Sequence, residues 1–276
     1  MIIKNELIAQ RKQGCRQNLV LWILIPALML MCGCMWARLW TFKTQLAHFE
    51  QYATIEQSDG YVIHFREPVL MPEDLRLFIP LEASIKSTNG SKENWILVFK
   101  KQYPGTSEEV NSKDLRFSAT FEDGRFSSFQ LPAPFAGVFP KQSVIGLFYS
   151  VGRAEVDRGN RVAKMAWKDG YKKNMELPTM SEIQASLGIP FLVKTNGSTQ
   201  IWTYRYYQDT PEVASLAARL AWVSFTFEGD RLEASKGGLG AIAWDLTALK
   251  HKGANIQLKF RKPNAEFVPL NDLTGQ

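Results

Sequence analysis

Cysteine is nearly absent. The 276-residue chain has three, Cys15, Cys32 and Cys34, all at the amino end. The remainder can form no disulfide and no thiolate zinc module. Histidine is equally sparse: His48, His64 and His251 include no pair at helical metal-ligand spacing and no H-E-x-x-H. No G-x-S-x-G elbow exposes a serine nucleophile. Adjacent acids such as Glu108-Glu109 and Glu122-Asp123 point apart on a strand or are solvated in a turn, so they make no acid/base pair. Gly238 to Ala243 spells G-x-G-x-x-A, but without the surrounding strand–helix–strand unit that a dinucleotide site requires. Strong net charge is lacking as well. Lys and Arg total 33 against 27 acids, a balance of +6. Half of that lies in residues 1–17, where Lys4, Arg11, Lys12 and Arg16 face only Glu6. The rest has no clustered basic footprint, which argues against a nucleic-acid partner. No catalytic set, metal or cofactor is expected.

One long apolar run is present. Leu19 to Ala37 contains 19 residues without a charge, at about 1.5 Å per residue enough for the roughly 30 Å of a bilayer core. The basic flank before it predicts a cytoplasmic amino end and an exported carboxyl end. Residues 18–40 therefore read as a transmembrane signal anchor or a lipoprotein signal. In the second case Met31-Cys32-Gly33-Cys34 makes Cys34 the candidate for lipidation, since Gly33 is the small residue a lipobox needs before its cysteine.

The chain also repeats itself. Thr88-Asn89-Gly90-Ser91 returns 107 residues later as Thr195-Asn196-Gly197-Ser198, and Trp95 returns at the same offset as Trp202. LRFSATFEDGRF (115–126) matches AWVSFTFEGDRL (221–232) at an offset of 106. Upstream of each block is a short amphipathic helix. One covers 72–79 with Pro and acids in its first turn, the other 179–187 with Thr179 as N-cap, Glu182 completing a capping box and Gly188 as terminator. Phe117, Ala119 and Phe121 alternate with Ser118, Thr120 and Glu122, as Val223, Phe225 and Phe227 do with Ser224, Thr226 and Glu228.

The expected class is therefore α+β: an N-terminal membrane helix, then two tandem repeats of one helix and a three-stranded antiparallel sheet. The expected order is a cytoplasmic flank (1–17), the anchor or signal (18–40), a juxtamembrane helix (41–59), repeat one (60–135), a connecting segment (136–177), repeat two with a final strand (178–262) and a tail (263–276). Within the connecting segment, 140–151 reads as a helix and 161–168 as a strand.

TMSEIQASLGIP, IWTYRYY and WVSFTFEGDRL together resemble the small outer-membrane lipoprotein domain family (SmpA/OmlA, the BamE-like fold) over 178–245, and residues 60–135 resemble it less closely. Two such units in tandem are also similar to the duplicated β-lactamase inhibitor proteins. The resemblance implies a bacterial envelope, binding rather than catalysis, and an envelope protein as partner beside the membrane. Tyr and Trp anchor protein interfaces where a sheet face is open. Trp202, Tyr204, Arg205 and Tyr206, with Trp95 in the first repeat, are the candidate partner-binding residues. The alternatives are a structural subunit of a larger membrane complex, or an envelope enzyme.

Overall fold

The computed structural model describes residues 35–78, 82–105, 113–157, 159–160, 162–166, 177–209, 220–239, 242–247 and 255–260. The chain divides into Met1–Thr41 and Phe42–Gln276. In the first unit residues 35–41 are helical, with Trp36 and Trp40 exposed. No helix among the described residues is long and apolar enough to cross a membrane. Most of the apolar run, and Cys34 with it, lies outside the described residues.

In the second unit, turn chemistry and alternation set the strands. Gly90 (φ 60°) and Gly197 (φ 61°) each open a two-residue turn, with the φ signs of type II′, the hairpin connection that matches strand twist. Each turn joins a short strand to a long one: β3 (Ile85–Asn89) to β4 (Lys92–Gln102), and β9 (Leu192–Asn196) to β10 (Thr199–Asp209). Next come β5 (Leu115–Glu122) and β6 (Arg125–Leu131) in one block, β11 (Leu220–Glu228) and β12 (Arg231–Leu239) in the other. A bulge interrupts β5–β6 at Thr120/Phe121 and β11–β12 at Thr226/Phe227, the same place in both blocks. There the ladder admits an extra residue and the local twist increases. Before the first block stands the hairpin β1 (Ala53–Ser58) and β2 (Gly60–Phe65). Between the blocks lie β7 (Glu155–Asp157) and β8 (Val162–Ala166), and after them β13 (Ile242–Thr247) and β14 (Asn255–Phe260).

All these strands join one 14-stranded antiparallel sheet, in the order β1-β2-β6-β5-β4-β10-β11-β12-β13-β14-β8-β7, with β3 on β4 and β9 on β10. The expected class is thereby corrected. The chain is predominantly antiparallel β, each block has four strands rather than three, and the blocks share a sheet instead of forming separate small ones. Two readings failed for physical reasons. IKSTN is exposed throughout and LVKTN nearly so, so neither shows alternation, and hairpin pairing alone makes them strands. The expected helix over 41–59 stops early. Residues 42–47 and α1 (Phe49–Tyr52) are helical, but in Ala53–Ser58 the buried Ala53 and Ile55 alternate with exposed residues and pair with β2.

The blocks meet at β4 and β10, paired from Arg205↔Gln102 to Asp209↔Val98. At the repeat offset of 107, the pair Lys100↔Tyr207 is its own equivalent. A local two-fold axis thus passes between these two residues.

The helices cover one side. α2 (Pro72–Phe78) and α5 (Met180–Leu187) precede the two blocks, while α3 (Ala133–Val138) and α4 (Lys141–Gly152) lie between them. In α5, Thr179 accepts from the Glu182 N–H and the Glu182 carboxylate accepts from the Thr179 N–H; in α2, Asp74 accepts likewise from Met71. α4 ends on Gly152, where a Cβ would strike the backbone of Leu46 and Ala47, so only glycine permits that contact. Ile183, Leu187 and Val138 pack on Phe99, Trp202, Tyr204, Tyr206, Phe225 and Phe227 in one core.

Across the axis the blocks brace each other. Lys101, buried on β4, donates from Nζ to the Leu187 carbonyl at 2.6 Å. Its repeat equivalent Gln208, buried on β10, donates to the Glu82 carbonyl after α2. Each long strand thus satisfies a carbonyl beyond the other block's helix. On α5 the cation also complements the negative end of the helix dipole.

Candidate functional site

Strand parity sorts the expected residues. On β10, Trp202, Tyr204, Tyr206 and Gln208 share the helix side and are buried, while Ile201, Arg205, Tyr207 and Asp209 lie on the opposite side. Trp95 is buried as Trp202 is. Its ring meets Phe121 at 4.8 Å and its Nε1 donates to Glu93, just as Trp202 meets Phe227 at 5.4 Å and donates to Gln200. Tyr204 donates to the Gly188 carbonyl at 3.1 Å, whereas the Tyr206 hydroxyl is buried without a partner among the described residues. Burial pushes both phenols well above their ordinary range. Four of the five expected partner-binding residues are therefore core residues, and a partner of the folded sheet does not reach them. The physical reason is that the aromatic row of β10 faces the helices. Cys34 lies outside the described residues.

Arg205 differs. It is half-buried on the side away from the helix-packed core, and Thr203, two residues before it on that side, is buried. Its guanidinium lies over the Phe191 ring at 4.4 Å, and its Nε is buried with no hydrogen-bond partner among the described residues. Loss of water pushes its pKa down. Gln102 lies opposite it on β4 and Trp222 opposite it on β11. Trp222 lies over Gly238, where a Cβ would stand 2.8 Å from the indole Nε1. Tyr207 is two residues along the same face. Beside them Lys100 pairs with Asp209 at 2.9 Å, which raises the lysine pKa.

This patch around the axis is the candidate site. Sequence reasoning found Arg205 but missed Tyr207 and Trp222. Parity carried the signal, because Tyr207 must share a face with Arg205 and not with Tyr206. Trp, Tyr and Arg are the residue types that dominate binding energy at protein interfaces. The patch has no nucleophile–base pair and no acid/base pair.

Elsewhere the chemistry is thin. No group of three His, Cys, Asp or Glu that could hold a metal occurs among the described residues. His64 is 3.7 Å from Glu56, both side chains exposed on the hairpin β1–β2, and His48 contacts the Thr44 carbonyl. His251, Glu108 and Glu109 lie outside the described residues. Gly238 belongs to a hairpin, with Leu239 pairing Ile242, and a strand follows the glycines where a dinucleotide site needs a helix. Compared with family models, curated proteins and solved structures, the chain shows no match.

Proposed function

We propose that this chain is a membrane-tethered protein of the bacterial envelope that binds a protein partner through the open face of its sheet and carries out no chemistry. The tether reading rests on the uncharged run Leu19–Ala37 behind a basic flank, and the bacterial envelope on the resemblance of 178–245 to outer-membrane lipoprotein domains. The observation that carries the binding reading is the half-buried patch of Arg205, Tyr207 and Trp222 on the face opposite the helix-packed core. Side chains of these types in a half-buried setting need little ordering on association.

The test is a photo-crosslinker placed at Tyr207 or Trp222 in the full chain, in its own membrane, with the same crosslinker at exposed Glu56 as reference. The expected result is a discrete adduct from the first two positions only, lost when Lys100 and Arg205 are both changed to Ala. Equal labelling from all three positions would sink the reading. Mass spectrometry of the mature amino terminus separates the two tethers: an acylated Cys34 marks a lipoprotein, an intact Met1 an anchor.

A further inference from the structure

Three lysines of the open face have carboxylates. Lys100 has Asp209 at 2.9 Å, Lys92 has Glu122 at 3.3 Å, and Lys236 has Asp245 at 3.3 Å. Arg205, half-buried, has none among the described residues: its contact there is the Phe191 ring. A cation that has lost water without gaining an anion is costly, and a buried N–H without an acceptor adds to that cost. Replacing Arg205 by an apolar residue would remove both penalties, and the repeat-equivalent position on β4 shows how: it is Val98, buried. With Nε buried, the terminal Nη groups are the ones left for a partner, and a guanidinium stacked on a ring takes a carboxylate through them by two parallel hydrogen bonds. Trp222 and Gln102 are its register partners on the two neighbouring strands, an indole on one side and an amide on the other.

We infer that Arg205 is the receptor for a carboxylate of an acidic peptide segment, presented by a different protein and laid across the open face between Trp222 and Gln102. This deepens the binding reading above and rests on it. Charge complementarity selects the segment: one acid for Arg205, with an apolar neighbour against Trp222. Because Val98 occupies the equivalent position, the receptor occurs once, so one segment binds per chain.

The probe is a random twelve-residue peptide display library, selected on the purified full chain in nanodiscs. Selected peptides are then synthesised and titrated calorimetrically. The expected result is that they share a Glu or Asp whose change to Gln or Asn weakens binding about tenfold to a hundredfold, at one peptide per chain. Arg205→Gln should cause the same loss and abolish the difference between the acid and amide peptides, while Arg205→Lys retains part of it. Thermal unfolding of each variant shows that the sheet is intact. Peptides that lack an acid yet lose binding to Trp222→Ala would overturn the carboxylate receptor and leave the open-face reading standing. Peptides indifferent to Arg205→Gln, Trp222→Ala and Tyr207→Ala alike, or no enriched peptide at all, would overturn both.

Discussion

Equivalent positions of the two four-strand blocks fall into two groups. On the helix side they remain apolar or make the same contact: Trp95 and Trp202, Phe99 and Tyr206, Phe121 and Phe227, Lys101 and Gln208. On the open side, towards the hairpin tips, they are again alike, as Ser118-Thr120-Glu122 matches Ser224-Thr226-Glu228. At the axis on the open side they part. Val98 corresponds to Arg205, Lys100 to Tyr207, Gln102 to Asp209, and Arg116 to Trp222. Packing explains the first group, since a filled core restrains volume and shape. Cross-strand hydrogen bonds account for the second: Ser118 donates to Asn94, Ser224 bonds Thr203, and Glu228 accepts from Ser198 and Thr199. Neither requirement acts at the axis. There the second block carries Arg205, Tyr207 and Trp222 where the first carries Val98, Lys100 and Arg116.

If the shared core makes the two blocks one cooperative unit, equivalent core deletions should cost alike. Phe121→Ala and Phe227→Ala each remove a fully buried ring, and each is expected to destabilise by about 3–5 kcal/mol. Urea unfolding followed by tryptophan fluorescence should show one transition in both variants, moved to lower urea. A transition that splits in either variant would show that the blocks unfold separately, in spite of the β4–β10 ladder.

The braces across the axis allow a finer comparison. Lys101→Met leaves the Leu187 carbonyl without its donor at a helix end and is expected to cost about 2–3 kcal/mol, in the range for hydrogen bonds to charged groups. Gln208→Met removes a neutral donor from the Glu82 carbonyl and should cost about 1–1.5 kcal/mol. The same urea titration measures both. A larger loss from Gln208→Met would break the expected order and show that the first block depends more on its brace.

This contrast also shows how much was legible in the sequence. The duplication, the capped helix before β9, the helix over 140–151 and the alternation of β5 and β11 all show locally, through period, caps and turn residues. The joining of both blocks into one sheet does not. It depends on Gln102 meeting Arg205 across more than a hundred residues, and no local pattern encodes that pairing. Alternation also separates the two faces of β10 without saying which one the helices cover. Trp202, Tyr204 and Tyr206 could serve a core or an interface equally well by composition. Arg205 and Tyr207 are set apart from that row because the helices pack on the other side of the strand.

The two buried phenols make the core side pH-sensitive in one direction. Both have folded-state pKa values raised above their unfolded values, so their neutral forms stabilise the fold fully below about pH 10, and that contribution is lost as pH rises further. Stability should fall above pH 10 with a slope of up to about 1.4 kcal/mol per pH unit from each tyrosine. Lysines titrate in the same range, so the informative quantity is the difference in slope between the unmodified chain and Tyr206→Phe. An unchanged slope would place the Tyr206 hydroxyl in contact with water.

The smallest effect is the most discriminating, because it compares two adjacent positions on one face of one strand. Tyr204 gives its hydroxyl to the Gly188 carbonyl at the end of α5. Tyr204→Phe should therefore cost about 1 kcal/mol, the net value of a typical hydrogen bond, plus part of the penalty for a carbonyl left alone. Tyr206 has an equally buried hydroxyl and no partner for it. Removing that oxygen takes away an unmet polar group without creating another, and Phe99 already fills the equivalent place in the other block. Tyr206→Phe should thus be neutral or stabilising, within about 0.5 kcal/mol of zero or on the stable side, at neutral pH. Thermal melts of the two variants side by side measure the difference. A cost for Tyr206→Phe as large as that for Tyr204→Phe would mean that the Tyr206 hydroxyl has a partner after all, a bound water held in the core beneath the axis.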